Sequence, residues 1–472
     1  MAVGADNISR ISKLLVDRER LSPDAALSRR KEFAVALTCG ADVADSYTLQ
    51  LAVLTAARVA ARCFPGAVHI GAPQELLRAP LLIWPGLRQT FGGALAAVLG
   101  EDVVSRAAGS VAVGRALIFG DAYAPAKSLR VTFDGWSAFS GPAANLPRKT
   151  ERERFPVVGI LAAALGLSEL FLSFADINIQ ATRRIVGLSL WRPDLGADHQ
   201  DALGELVEYL PSAEFMLGLG HLGNCFLWTL AGLPYADPAM VHFALFDHDS
   251  IDDANVETCL LFGANDIGGL KTRTCATWLH SLGFQTRLIE RRFDGAFRRQ
   301  TKEQGNAEPG LAFCGFDSNA ARRHLATADF PRVIECGLGA MAHNFDTLSL
   351  HTLPHRRSVT ELWPDLTPDQ LNKAAKEHER IARENPGYAG LAKDDCGRAL
   401  LAGKAVGVPF VGATAACFAV AEAVRLLHGG PAYSDIKLNL GDPDTRAAIF
   451  QGNYGPEAAT GITFTGALSD WH

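Results

Sequence analysis

Three glycines and five polar side chains between Glu214 and Asp317 have the types and the order of a nucleotide-binding site. Gly218, Gly220 and Gly223 form a G-x-G-x-x-G pattern at the end of a short apolar run. Such glycines let the backbone turn tightly and approach a phosphate, and a following helix N-terminus offers free N–H groups. The carboxylates that follow, Asp247, Asp249 and Asp317, suit a ribose or Mg²⁺. The amide of Asn255 and the ammonium of Lys271 suit phosphates.

The elements that must position these groups alternate between strands and helices. The run from Glu214 predicts a strand, the segment through Leu230 a helix, and His242–Phe246 a second strand that ends at Asp247. A helix over 270–282 and a strand over 310–317 follow, so Asp317 falls at a strand end. This order is typical of an α/β nucleotide-binding domain.

Three blocks narrow the nucleotide site further. Asp247–Asn255 reads D-x-D-x-I-x-x-x-N, Phe262–Lys271 reads F-x-x-x-D-I-G-x-x-K, and Asp317–Arg322 is similar to D-N-x-x-A-R. Together they resemble the adenylating domain of ubiquitin-activating enzymes and their bacterial relatives, the ThiF, MoeB and HesA group. The resemblance implies ATP and Mg²⁺ as cofactors. It implies a phosphate cradle at the glycines, a ribose contact at Asp247 with Asp249 nearby, phosphate contacts at Asn255 and Lys271, and Asp317 as the metal ligand.

Each of these residues also has a structural explanation. The glycines suit a dinucleotide turn, Lys271 a solvated helix surface, and Asp317 the N-cap of a helix over 318–325. One position departs from the family: Thr258 stands where an arginine usually supports the transferred phosphates. Either another arginine replaces it or activity is lower than usual, and the candidates are Arg273, Arg10 and Arg18.

Cys396 is the predicted nucleophile. In the family the catalytic cysteine lies on a crossover segment upstream of a P-x-x-G-x-x-A-A helix, and Cys396 fits that position. Thiolate attack on an acyl-adenylate gives a thioester. Asp394 and Asp395 oppose thiolate formation, so activation must come from Lys393 or Arg398. The alternative is an incidental cysteine in a polar loop.

Composition sets the broad class. The chain has 472 residues, 48% hydrophobic and 20% charged, which predicts a globular protein of two domains. A net charge of −6 gives no electrostatic footprint for nucleic acid. The apolar segment 406–427 contains Glu422 and Arg425 and predicts a core helix, not a membrane span. The absence of a signal-peptide pattern and of any C-x-x-C pair among nine cysteines predicts a reduced, cytoplasmic protein without disulfides or zinc.

An internal comparison predicts the architecture. Residues 155–172 mirror 408–425, including a shared proline-glycine start and a glutamate at Glu169 and Glu422. We therefore expect two tandem Rossmann-like, ThiF-type α/β domains that form a pseudo-dimer, with 1–200 degenerate and 201–472 active, and a crossover segment at about 355–400. The first copy is predicted to have strands at 32–39, 67–70, 80–84 and 116–119, and helices at 46–63 and 87–99. Chance similarity of two buried helices is the alternative.

The resemblance implies ATP-dependent adenylation of the C-terminus of a ubiquitin-like protein, thioester formation on Cys396, and transfer to a conjugating enzyme. The internal pseudo-dimer favours a monomer, although a homodimer is the alternative. Bacterial operons with similar enzymes serve antiphage defence. Three other functions remain open: sulfur-carrier adenylation for cofactor synthesis, an NAD-binding oxidoreductase, and a non-catalytic scaffold.

Overall fold

The computed structural model describes residues 9–105, 115–301, 307–389, 391, 395–453 and 461–466 of a mixed α/β protein. The α-helices of this described part are α1 (Ser12–Glu19), α2 (Pro23–Arg30), α3 (Tyr47–Cys63), α4 (Gln74–Arg78), α5 (Phe91–Leu99), α6 (Glu101–Ser105), α7 (Val157–Phe174), α8 (His221–Ala231), α9 (Asp253–Thr258), α10 (Lys271–Ser281), α11 (Asn319–Arg323), α12 (Val359–Leu362), α13 (Pro368–Glu384), α14 (Asp395–Gly403) and α15 (Pro409–Leu427).

The strands of the described part belong to three sheets. They are β1 (Ala34–Cys39), β2 (Ala67–Gly71), β3 (Ala116–Phe119), β4 (Leu129–Asp134), β5 (Ser137–Pro142), β6 (Val186–Ser189), β7 (Tyr209–Pro211), β8 (Ala213–Leu217), β9 (His242–Phe246), β10 (Gln285–Ile289), β11 (Leu311–Cys314), β12 (Arg332–Leu338), β13 (Thr347–Leu353), β14 (Pro431–Asn439), β15 (Ala447–Asn453) and β16 (Ile462–Phe464).

The two large sheets follow a common plan. A six-stranded sheet has the order β2-β1-β3-β4-β5-β6, and an eight-stranded sheet has the order β10-β9-β8-β11-β12-β13-β14-β15. In each sheet the first four or five strands are parallel and the remainder are antiparallel. The short strands β7 and β16 form a separate antiparallel pair.

Helices α7 and α15 pack against each other at the centre of the molecule. The rings of Phe171 and Phe410 meet there with centroids 5.4 Å apart. Both helices are long and apolar enough to cross a membrane, yet 89% of the apolar window of α7 and 100% of that of α15 are buried. Their apolar faces therefore pack within the protein, and the predicted core helix over 406–427 is confirmed.

The glutamates shared by these two helices make similar hydrogen bonds. Glu169 accepts the N–H of Thr182 at 2.8 Å and pairs with Arg184 at 2.7 Å. Glu422 accepts the N–H of Tyr433 at 3.0 Å and pairs with Arg425. In both cases a buried carboxylate ties a core helix to the chain at or just before the next strand. The internal similarity predicted from the sequence thus has a structural counterpart at its glutamate.

Two elements of the first half differ from prediction. No strand forms over 80–84, where Pro80 makes only an isolated bridge to Thr90. The predicted helix over 87–99 begins instead at Phe91, after Thr90 caps it. Trp84 and Arg88 adopt left-handed backbone conformations with φ of 53° and 48° on either side of a short 3₁₀ turn. These two bends turn the chain back on itself, which is incompatible with a strand.

Candidate functional site

The predicted nucleotide residues meet at one edge of the eight-stranded sheet. Strands β9, β8 and β11 are adjacent and parallel, so their carboxyl ends lie side by side. The glycine turn follows β8, Asp247 follows β9, and Asp317 follows β11. Ligands of open α/β sheets bind in the crevice at this edge. The fold therefore places three of the predicted groups around one crevice.

Two of the three glycines have a demonstrable steric reason. Gly218 has a φ of +85°, a left-handed conformation that residues with a Cβ rarely adopt. A Cβ on Gly223 would lie 2.0 Å from the carbonyl oxygen of Gly218. The turn can therefore close against the first turn of α8 only because both positions are glycine. Gly220 is the last residue before α8.

The N-terminus of α8 carries no side-chain cap. A helix start leaves N–H groups without intrahelical partners, and together with the helix dipole they favour an anion. Asp247 fixes the preceding turn, because its carboxylate accepts the N–H of Leu219 at 2.7 Å and the N–H of Asp249 at 2.8 Å. The arrangement has the form of a phosphate-binding turn.

Lys271 is the first residue of α10, and its side chain is buried, with 9% exposure. Its ammonium group donates to the carboxylate of Asp249 at 2.9 Å. Burial disfavours the charged lysine, but the negative charges of Asp247 and Asp249 outweigh it and raise the pKa of Lys271. For Asp249, the effect of Lys271 outweighs burial and lowers its pKa. A permanent positive charge therefore lies beside the acids that follow β9.

Asn255 lies on α9 and takes part in a capping box. Its side-chain oxygen accepts the N–H of Asp252 at 3.1 Å, while its own N–H donates to Asp252 at 2.9 Å. The chain before α9 and the chain before Lys271 are joined by hydrogen bonds, among them Lys271 N–H to Asp249 O at 3.1 Å. The structure thus brings the predicted D-x-D, asparagine and lysine blocks together on one side of the turn.

Thr258, at the position of the family arginine, faces inward. It is 7% exposed, and its hydroxyl donates to the carbonyl of Ala254 at 2.9 Å. Gly407 lies against its methyl group. The small side chain therefore allows the backbone before α15 to approach α9.

The three arginines considered as replacements lie in different places. The backbone N–H of Arg10 donates to Glu257 on α9 at 2.9 Å. Arg273 is paired with Glu290 at 2.9 Å, and Arg18 is an exposed residue whose charge acts on Asp346. Arg10 alone of these three is in contact with α9.

Asp317 is exposed beyond the end of β11. The N-cap of α11 is its neighbour Ser318, whose hydroxyl accepts the N–H of Ala321 at 3.4 Å. The capping alternative for Asp317 is therefore wrong. Another group of potential metal ligands follows β9. One ligand atom from each of Asp247, His248 and Asp249 lies within 4.8 Å of the other two.

Cys396 falls in the first turn of α14, upstream of α15. The side chains of residues 392–396 lie outside the described part, so the structure gives no geometry for the predicted nucleophile. The other eight cysteines are buried and carry free thiols.

Two residues that lie next to the glycine turn were not predicted from the sequence. Asn224 is fully buried and donates to the carbonyls of Leu219 at 2.8 Å and Gly220 at 3.1 Å. His221 opens α8 with its Nε2 buried and without a hydrogen-bond partner in the described part. Burial lowers the pKa of His221 to about 4, so the ring adds no charge to the turn near pH 7. Asn224 directly follows the glycine pattern, which was its only signal.

Comparison with known proteins identifies the family. Two family models match, the BilD N-terminal domain over residues 34–190 and the BilD C-terminal domain over residues 210–430. The bacterial E1-like protein BilD of a Collimonas strain is 35% identical over 439 residues, which cover 91% of this chain and 90% of the relative. The chain belongs to the family of bacterial E1-like BilD proteins.

Solved structures give more distant similarities. Escherichia coli MccB in complex with MccA-N7isoASN is 16% identical, with a TM-score of 0.34, over 52% of this chain and 65% of MccB. PaaA is 15% identical, with a TM-score of 0.33, over 52% of this chain and 73% of PaaA.

Proposed function

We propose that this protein activates the C-terminal carboxylate of a ubiquitin-like protein by adenylation with ATP. The observation that carries the proposal is the meeting of an uncapped helix start, a buried lysine and an exposed aspartate at the carboxyl ends of β8, β9 and β11. Membership in a family of E1-like proteins supports this activity.

Each residue would have one role in the adenylation step. The glycine turn at Gly218, Gly220 and Gly223 would cradle phosphates, and Lys271 would neutralise charge that develops on them. Asp247 and Asp249 would bind the ribose side of the nucleotide, and Asn255 would contact phosphate. Asp317 would hold Mg²⁺, which supplies positive charge to the phosphates.

The step balances without a redox partner. A carboxylate oxygen of the ubiquitin-like protein attacks the α-phosphorus of ATP, the bond between the α-phosphorus and its bridging oxygen breaks, and pyrophosphate leaves. Lys271 now donates to Asp249, so binding would require the ammonium to share its hydrogens with phosphate oxygens. Its raised pKa keeps the proton on this group throughout.

Arg10 is proposed to supply the positive charge that Thr258 cannot. It contacts Glu257 on the helix that carries both Asn255 and Thr258. Its guanidinium donates to the carbonyl of Ala405 at 3.5 Å. Burial lowers the pKa of Arg10, and the negative charges of Asp252 and Glu257 oppose this effect. An Arg10→Ala variant with an unchanged rate of ATP–pyrophosphate exchange would contradict this part of the proposal.

Cys396 is proposed to take the acyl group from the adenylate. Its thiolate would attack the acyl carbonyl, AMP would leave, and a thioester would remain for transfer to a conjugating enzyme. An E1-like family favours this conjugation route over sulfur transfer. A non-catalytic scaffold would not require Lys271 or Asp317. An NAD-binding oxidoreductase would require neither of these residues nor Cys396.

The two sheets are proposed to be divergent copies that form a pseudo-dimer in one chain. The matched settings of Glu169 and Glu422, and the packing of α7 on α15, support this interpretation. The first copy would then take the place that a second subunit occupies in a homodimer.

ATP–pyrophosphate exchange with the ubiquitin-like protein encoded beside this gene tests the activity. Wild type, Asp317→Ala and Cys396→Ala should be compared. We expect exchange in wild type and Cys396→Ala and its loss in Asp317→Ala, while a thioester sensitive to thiols should form in wild type but not in Cys396→Ala. No exchange in wild type would overturn the proposal, and exchange with no thioester would leave adenylation without the conjugation route.

A further inference from the structure

Arg62, on α3 of the first half, reaches into the second half of the chain. Its Nε donates to the carbonyl of Cys259 at 2.6 Å, and its Nη2 donates to the carbonyls of Leu260 at 2.8 Å and Phe262 at 3.1 Å. Its remaining nitrogen donates within α3 to the carbonyl of Arg58 at 2.9 Å. One guanidinium thus binds three backbone carbonyls of a segment some two hundred residues away in sequence.

Residues 259–262 connect α9 to the block that leads to Lys271. They lie outside helices and strands, so their carbonyls have no regular backbone ladder to pair with. Cys259 and Leu260 are fully buried, and a buried carbonyl without a donor costs about 1–3 kcal/mol. Arg62 therefore fixes the path of this segment, since its planar fork sets the direction of several hydrogen bonds at once.

The same segment is bound from its other side by Asn224. The N–H of Leu261 donates to the Asn224 side-chain oxygen at 3.0 Å. The Asn224 amide in turn donates to the carbonyls of Leu219 and Gly220 in the glycine turn. A continuous chain of hydrogen bonds therefore runs from α3 through residues 259–262 to the turn.

We propose that Arg62 is a positioning residue through which the first half of the chain holds the nucleotide turn of the second half. The inference rests on the proposed function, because it takes the glycine turn to be the phosphate cradle. Loss of the guanidinium releases residues 259–262, then Asn224, and then the carbonyls of Leu219 and Gly220. The first half of the chain, which lacks the glycine turn, thus contributes to the nucleotide site of the second half.

Arg62→Met tests the inference against Arg58→Met as a matched control. Arg58 lies one turn earlier on α3 and packs over the ring of Trp228 at 5.5 Å, and within the described part its side chain makes no hydrogen bond to residues 259–262. We expect Arg62→Met to raise the KM for ATP in exchange about tenfold, with a smaller change in kcat. Arg62→Lys should recover part of the loss, and Arg58→Met should leave the KM near the wild-type value.

Amide hydrogen exchange of the full chain without nucleotide provides a readout that needs no activity. Arg62→Met should lose protection in peptides that cover 219–224 and 259–262, and Arg58→Met should not. If wild type shows no ATP–pyrophosphate exchange, the proposed function fails while this comparison still decides the structural link. Unchanged KM and protection in Arg62→Met would overturn the inference, as would equal changes in the two variants.

Discussion

The turns that follow β1 and β8 both lead from a parallel strand into a helix, but they differ in length and in how the helix start is capped. After β8, residues 218–220 suffice to reach α8, and the helix start has no side-chain cap. After β1, residues 40–46 include a 3₁₀ turn, and Ser46 caps α3 by accepting the N–H of Leu49 at 3.0 Å. The N–H groups at the start of α8 are therefore available to an anion, whereas at the start of α3 the Ser46 hydroxyl occupies the N–H of Leu49.

Charged side chains also surround the turn after β1. In the first half, Asp42 accepts the N–H of Asp121 at 3.0 Å and pairs with Arg148 at 2.5 Å. Burial opposes its charge, but these partners outweigh it and lower the pKa of Asp42. Arg148 also pairs with Glu151, so its charge is shared between two carboxylates. A carboxylate is thus paired with a basic side chain at both turns, Asp42 with Arg148 after β1 and Asp249 with Lys271 after β9.

The largest expected effect is on exchange activity. Lys271→Ala should lower the rate of ATP–pyrophosphate exchange about 10²–10³-fold, because a charge beside the phosphates is lost. Arg148→Ala, the matched change at the first turn, should leave the rate within about twofold, since Arg148 faces two carboxylates of its own half. Comparable losses in both variants would contradict the assignment of the nucleotide to the second half alone.

Much of this contrast is visible in the sequence, and some of it is not. The glycine pattern, the helix over 46–63 and the acid after β9 follow local rules and were predicted. The capping box of Asn255 uses a side chain that the family resemblance assigns to phosphate, so a local hydrogen bond competes with the expected role. Arg62 gave no signal, because its three acceptors are backbone carbonyls that only the packing of the two halves brings near it.

The matched glutamates offer a stability comparison between the halves. Glu422→Ala should lower the free energy of unfolding by about 3–5 kcal/mol, because Arg425 has no exposed side-chain surface and would lose its charge partner. Glu169→Ala should cost less, about 1–2 kcal/mol, because the side chain of Arg184 is 22% exposed and can turn to water. Chemical denaturation of both variants measures the difference, and equal costs would contradict it.

A smaller effect should depend on pH. Burial raises the pKa of Glu153 to about 7, despite the hydrogen bond from Ser46, while its ordinary value is 4.5. A raised carboxyl pKa means that the folded state holds the proton more tightly. Its contribution is therefore complete below about pH 4.5 and is lost as the pH rises through about 7.

Glu153→Gln should remove this dependence. The variant should gain roughly 3 kcal/mol of stability relative to wild type at about pH 9, with little difference at about pH 4. Denaturation midpoints at the two pH values provide the measurement. A variant that is destabilised more at high pH than at low pH would contradict the prediction, because it would show that the charged carboxylate stabilises the folded protein and that its pKa is lowered.

The smallest expected effect is at the first turn itself. Asp42→Ala removes an acid from that turn, yet Ser46 still caps α3 and residues 40–46 still separate the helix from β1. We therefore expect one ATP bound per chain in both wild type and variant, and exchange rates within about twofold of each other. Equilibrium dialysis with labelled ATP measures the stoichiometry. A second bound ATP in Asp42→Ala would mean that the charge of Asp42 alone keeps ATP from the turn after β1. One bound ATP per chain would mean that the path of the backbone keeps it out.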